Sequence, residues 1–191
     1  MPEKLIEEVE KSVALLKQGK ILLYPTDTIW GIGCDATNQK AVNKIFKLKN
    51  RQEQKSMIVL LDKAEKIRNY VEEVPPIAYE LIENAASPIT IVYDNAKNLP
   101  KNLIAPDGSI AIRIVKGDYC SRVIDKLGKP LVSTSANISG EPAPGTFQQI
   151  PEIIKQRVDY VVNIYRTHIR TVRPSTVIRL EKSGTFKILR L

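Results

Sequence analysis

The apolar residues of this chain switch repeatedly between the three-to-four-residue step of a helix and the short unbroken run of a strand. That order constrains the fold more than any other feature. Leu5, Ile6, Val9, Val13 and Leu16 recur at helical spacing, and Gly19 is a natural stop behind them. Residues 21–24 form a short apolar strand ended by Pro25, and a polar, glycine-containing loop is expected over 26–38. Ala41, Val42, Ile45 and Phe46 mark a second helix starting near Asn38. Residues 56–61 read as a buried strand. Asp62-x-x-Glu65 resembles a capping box opening a third helix with Ile67, Tyr70 and Val71. Pro75 and Pro76 begin a fourth, with Ile77, Leu81, Ile82 and Ala85 on one face. Strands follow at 89–93 and 109–115, separated by a loop rich in Asn, Pro and Gly. Asp118 is expected to cap a helix bearing Val123, Ile124 and Leu127, stopped by Gly128. The rest reads as a strand at 131–133, a long loop at 134–145, a helix near 147–157 and a strand at 158–164. A hairpin of 175–180 and 185–191 closes the chain. Helices interleaved with single strands, ending in strands, predict an α/β fold with a mixed sheet covered by helices. No repeat or linker divides residues 1–191, so a single domain is expected.

Composition removes several classes of function. The longest apolar run is residues 57–61, far short of the ~18 residues that cross a bilayer. The acidic, helix-patterned start lacks a signal segment, and two cysteines, Cys34 and Cys120, are too few for a disulfide framework. Both point to a cytoplasmic protein with no membrane partner. His168 is the only histidine, which excludes a multi-histidine metal site. The 29 Lys and Arg residues against 21 acids give a net charge of +8. That excess suits phosphates on a nucleotide or a nucleic acid, and equally a plain basic surface.

Five segments could carry chemistry. Tyr24-Pro25-Thr26-Asp27-Thr28-Ile29-Trp30-Gly31-Ile32-Gly33 sets two threonines around an acid just past a strand end, where α/β sheets place ligands, though Asp27 and the threonines would also make a simple turn. Overlapping its end, residues 31–36 fit G-x-G-x-x-A. The intervening residues 25–30 and the late start of helical periodicity argue against a dinucleotide fingerprint. Lys49 and Arg51, with Lys55 four residues on, can face one anion if the helix ends near Asn50; otherwise they decorate a helix C-terminus. In an extended segment Ser133, Ser135 and Asn137 share one face and could hold several oxygens, or form a surface turn. Arg113 alternates with isoleucines in a strand, a pattern that suits a water-facing side chain better than a pocket. Arg173-Pro174-Ser175-Thr176 and Arg190 belong to the final hairpin, where a turn and a solvated charge suffice.

In this order and spacing the segments resemble the YrdC-like family of threonylcarbamoyl-AMP synthases. The likeness runs from the Pro25-Thr26-Asp27-Thr28 loop through Lys49-x-Arg51 and residues 129–140 to Pro174-Ser175-Thr176 and Arg190. It implies a twisted mixed sheet flanked by helices, with a positively charged concave face. The implied reaction joins L-threonine, bicarbonate and ATP, with Mg2+, into threonylcarbamoyl-AMP and pyrophosphate. The product would pass to a threonylcarbamoyl-transferase complex that modifies adenosine 37 of tRNA, and tRNA itself is a candidate contact. The chain is similar to the short, single-domain form. Residue by residue, the resemblance puts Thr28, Arg113, Ser133 and Ser175 at threonine. It puts Arg51, Lys55, Ser135, Asn137 and Arg190 at ATP, and makes Lys49, Arg51, Ser135 and Asn137 the catalytic set. No metal ligand can be named. Leu60, Ala143 and the segment Ala85-Ala86-Ser87-Pro88 depart from the family pattern, which elsewhere has histidine, serine and Trp-Pro-Gly-Pro. The alternative from another class is an RNA-binding or ribosome-maturation protein without nucleotide turnover.

Overall fold

Gly19 ends the first helix by the mechanism its position suggests. In the computed structural model, which describes residues 3–49, 57–167, 174–181 and 183–191, helix α1 spans Glu3–Lys17. Gly19 takes φ +70°, its N–H donates to Leu16 O and that of Lys20 to Leu15 O, the paired bonds of a Schellman stop. Leu5, Val9, Val13 and Leu16 are buried, whereas Ile6 is 43% exposed: four positions suffice to make the packed stripe. Helix α2, Gln39–Leu48, begins at Asn38, whose side chain accepts from Ala41 N. Helix α3 is Ile77–Asn84, α4 is Asp118–Leu127 and α5 is Glu152–Arg157.

The strands are β1 Leu22–Tyr24, β2 Gly31–Gly33, β3 Ile58–Leu61, β4 Ile89–Tyr93 and β5 Ile110–Ile114. β6 Leu131–Ser135, β7 Tyr160–Val161, β8 Thr176–Leu180 and β9 Phe186–Arg190 complete them. Among the described residues they form one sheet in the order β7-β1-β2-β6-β3-β5-β4-β8-β9. The pairs β1–β7, β3–β5 and β4–β8 are parallel and the others antiparallel, so the sheet is mixed as expected.

Period-two alternation sorts the strand residues into two cores. Leu23, Val59, Leu61, Ile91, Tyr93, Ile110, Ile112, Val132 and Ile178 face α2, the 64–69 turn, α3 and α5. Leu22, Tyr24, Leu60 and Leu131 face α1 and α4 on the opposite side. The second pair of helices covers only part of its face. Toward β4, β5 and β8 no helix among the described residues covers that face, and the candidate site lies there.

Several local expectations need correction. The loop expected over 26–38 contains β2, whose two glycines weaken the strand signal. Ladder geometry demands one of them: a Cβ on Gly33 would lie 1.9 Å from Val132 O and 2.6 Å from the Tyr24 hydroxyl. The third helix is a 3-10 helix, Ala64–Asn69, and Asp62 does not cap it but pairs with Lys66 at 2.8 Å. Gly117 rather than Asp118 holds the N-cap position of α4. Pro151 delays α5 until Glu152. The strand expected over 158–164 shrinks to β7, because it pairs only with Leu22 and Leu23 of the three-residue β1. No helix among the described residues is long and apolar enough to cross a membrane.

Candidate active site

The uncovered part of the sheet forms the floor of a cavity of about 330 Å3. Alternation turns Thr90 and Val92 of β4, Ala111 and Arg113 of β5, Ser133 and Ser135 of β6 and Val177 of β8 toward it. Thr28, Trp30, Gly31, Met57, Ile58 and Ala143 form walls, and Leu189 and Arg190 of β9 close the edge. An apolar lining with a few convergent polar groups, at this volume, is the usual character of a small-molecule site. Gly31 keeps it open, since a Cβ there would lie 2.8 Å from Ser133 Oγ. Trp30 is braced from behind by Phe147, with ring centroids 4.8 Å apart.

Arg113 does not face water. It is 4% exposed, with Nη1 donating to Thr28 Oγ1 at 2.9 Å and Nη2 lying 3.2 Å from Asp27 Oδ1. The loop before β2 makes this arrangement. Thr26 Oγ1 accepts from Thr28 N and donates to Ile29 O, locking the turn that presents Asp27 and Thr28 to the strand. Asp27 Oδ2 accepts from Lys116 N. The pairing leaves capacity unused: Arg113 Nε and Asp27 Oδ1 are buried and without a hydrogen bond among the described residues. A buried guanidinium with a donor to spare is suited to an anionic ligand.

Arg190 is the second charge on the cavity wall. Its Nη2 and Nε donate to Ser175 O at 2.8 and 3.3 Å. Burial and then the nearby charge of Arg113 hold its pKa below the usual arginine value. No acid lines the cavity among the described residues, so both of its charged lining residues are cations. Ser175 sits just behind the wall, 2% exposed, with Oγ 2.7 Å from Thr90 Oγ1.

Lys49 has a different setting. It is the C-cap of α2, buried, with Nζ donating to Ser135 O at 2.9 Å, to Asn137 Oδ1 at 3.1 Å and to Asn137 O. Ser139 Oγ in turn donates to Lys49 O. Ser135 Oγ donates to Asn137 Oδ1 at 2.5 Å, and Asn137 Nδ2 donates to Glu141 O. Lys49 thus pins the turn after β6 from behind, and Ser135 is the member of this cluster on the cavity wall.

Of the residues singled out in the sequence, Thr28, Arg113, Ser133, Ser135 and Arg190 line one cavity. Lys49, Asn137 and Ser175 support its walls. Arg51 and Lys55 lie outside the described residues. Leu60 is fully buried in the α1–α4 core, so the cavity-facing residue of β3 is Ile58, and Ala143 does line the cavity. Trp30 lies in the segment singled out after β1, whereas nothing in the sequence singled out Thr90. A threonine in a strand reads as an ordinary strand former, and the only signal for it was its alternation with Ile89 and Ile91. No group of three His, Cys, Asp or Glu side chains able to hold a metal occurs among the described residues.

The Sua5_yciO_yrdC family model, described as telomere recombination, matches residues 14–191. The chain belongs to this Sua5/YciO/YrdC family. The threonylcarbamoyl-AMP synthase of Pseudoalteromonas translucida is 32% identical over 158 residues, covering 81% of this chain and 84% of that one. The synthase of Vibrio cholerae is 31% identical over 161 residues, covering 83% and 86%. Among solved structures, P. abyssi Sua5 complexed with L-threonine superposes with a TM-score of 0.82 at 25% identity, covering 90% of this chain and 50% of that one. The mixed sheet flanked by helices is therefore the family's fold.

Proposed function

We propose that this chain is a threonylcarbamoyl-AMP synthase, which forms threonylcarbamoyl-AMP and pyrophosphate from L-threonine, bicarbonate and ATP for tRNA modification in the cytoplasm. The observation that carries the reading is the buried Arg113, whose Nε has no hydrogen-bond partner among the described residues, on the wall of a cavity whose other charged lining residue among them is Arg190. Relatives that bear the synthase name, and a Sua5 structure holding L-threonine, support it.

Three anions meet in this reaction. Threonine's amine adds to the carbon of bicarbonate with loss of water, giving a carbamate. A carbamate oxygen then attacks the α-phosphate of ATP, the phosphoanhydride bond breaks, and pyrophosphate leaves. Placing like-charged reactants together is the main obstacle, so cations and aligned donors do most of the work. Arg113 would take the threonine carboxylate, with Thr28 and Ser133 orienting the amino acid, and Ser175, which holds Arg190, would stand between the two ends. Ser135 and Arg190, with Arg51 and Lys55, would meet the phosphates. Lys49 and Asn137 would act by holding Ser135 in place. One charged contact of this kind is worth about 2–4 kcal/mol of transition-state stabilisation. The cavity wall offers no carboxylate among the described residues, so this donor set does not fit a protein-held Mg2+. Any Mg2+ would travel on the phosphate oxygens of ATP. The product would feed a threonylcarbamoyl-transferase complex, and the +8 charge would suit contact with tRNA.

The test is pyrophosphate release by the purified chain. The reading expects release only when threonine, bicarbonate and ATP are all present. Release that is unchanged without threonine would overturn it. Salt-sensitive tRNA binding with no turnover would instead favour an RNA-binding protein.

A further inference from the structure

A buried polar chain runs from the sheet to the second arginine of the cavity. In β4, Ile89, Ile91 and Tyr93 pack toward the α2-side core, so Thr90 turns to the cavity side. Thr90 pairs with Val177 of β8. One step beyond the Ile91–Ile112 pair in the same antiparallel register, it stands opposite Arg113. It is 0% exposed. A hydroxyl in such a place costs free energy unless it is hydrogen-bonded, and valine would fill the same volume without that cost. The bond it makes is to Ser175 Oγ at 2.7 Å.

Ser175 in turn holds Arg190 at two atoms. Its carbonyl accepts from Nη2 and Nε, and its Oγ lies 3.4 Å from Nη2. Arg190 ends the exposed terminal strand β9, and Phe186, Ile188 and Leu189 beside it are also exposed. Its hydrogen bonds among the described residues go to the neutral atoms of Ser175, and it faces the like charge of Arg113. Its place in the cavity therefore depends on how firmly Ser175 is held. When Ser175 Oγ accepts from Arg190, the Thr90 hydroxyl is the group that fixes its remaining direction.

We infer that Thr90 is a positioning residue: through Ser175 it holds the Arg190 guanidinium against the cavity, where it meets the anionic part of the ligand. This rests on the reading above, in which the cavity takes the phosphates of a nucleotide.

Trp30 is the only tryptophan of the chain and lines the cavity, so its fluorescence reports occupancy. The experiment titrates wild type, Thr90→Val and Thr90→Ser with sodium tripolyphosphate and compares their thermal unfolding. Loss of one hydrogen bond at a charged group's support should weaken binding by Thr90→Val about three- to tenfold. Thr90→Ser keeps the hydroxyl and should stay within about twofold of wild type. If Thr90→Val does not fold, Thr90→Ala makes the same comparison. Tripolyphosphate binding by Thr90→Val as tight as by wild type would overturn the inference. So would equal weakening in Thr90→Val and Thr90→Ser, or no binding by wild type. A wild type that binds tripolyphosphate with this mutational pattern but makes no threonylcarbamoyl-AMP would sink the synthase reading and leave the positioning role standing.

Discussion

Lys49 and Arg113 are both buried cations, and they are used differently. Lys49 spends its ammonium on Ser135 O, Asn137 Oδ1 and Asn137 O, so its charge organises a turn. Arg113 pairs with Asp27 and Thr28 and lines the cavity, with no hydrogen bond to its Nε among the described residues, so its charge is set at the cavity wall. Lys49→Met should therefore damage structure and activity together. It leaves buried acceptors without their donor, a loss of about 1–3 kcal/mol in urea unfolding, with a parallel fall in turnover. Full stability with lost turnover would instead mean that Lys49 acts on the substrate directly. Neither environment could be read locally. Alternation places Arg113 on one face of β5, but whether that face meets water, a helix or a cavity depends on where α1 and α4 stop. The sequence pattern favoured water. The family resemblance placed Arg113 in the site, as residue chemistry alone did not.

At the scale of elements, most helix ends announced themselves and strand β2 did not. Gly19, Asn38 and Gly128 mark ends by local chemistry, and all three stand where the spacing puts them. β2 has only Ile32 between two glycines, so neither propensity nor alternation marks it. Its glycines answer to distant parts of the chain, Val132 O at one position and Ser133 Oγ at the other. Gly33→Ala is the direct check. The added Cβ must push Val132 and Tyr24 apart in the middle of the sheet, a cost of about 1–3 kcal/mol or more by overpacking. Thermal or urea unfolding that matches wild type would show that β2 and β6 are not packed as described. The 3-10 helix at Ala64–Asn69 has a comparable lesson. Asp62 looked like a cap, yet its carboxylate is taken by Lys66 one turn on, a competition invisible in the motif.

For the molecule as a whole, the mixed sheet and its helices were legible, because alternation and caps are local, whereas the cavity residues were brought together only by the family resemblance. The +8 charge was equally legible but did not choose between a nucleotide and a nucleic acid. The structure adds one localised feature: two arginines line one cavity of about 330 Å3, with no acid lining it among the described residues. A cavity of this kind suits a small anionic ligand better than a broad backbone track. The claim that rests on it is that threonine, bicarbonate and ATP are joined in one site. The most direct measurement is mass-spectrometric detection of threonylcarbamoyl-AMP, with each substrate omitted in turn and isotopically labelled bicarbonate supplied. The account predicts a labelled product that appears only when all three are present. Adenylate or pyrophosphate formed at the same rate without threonine, or a product carrying no label, would contradict it.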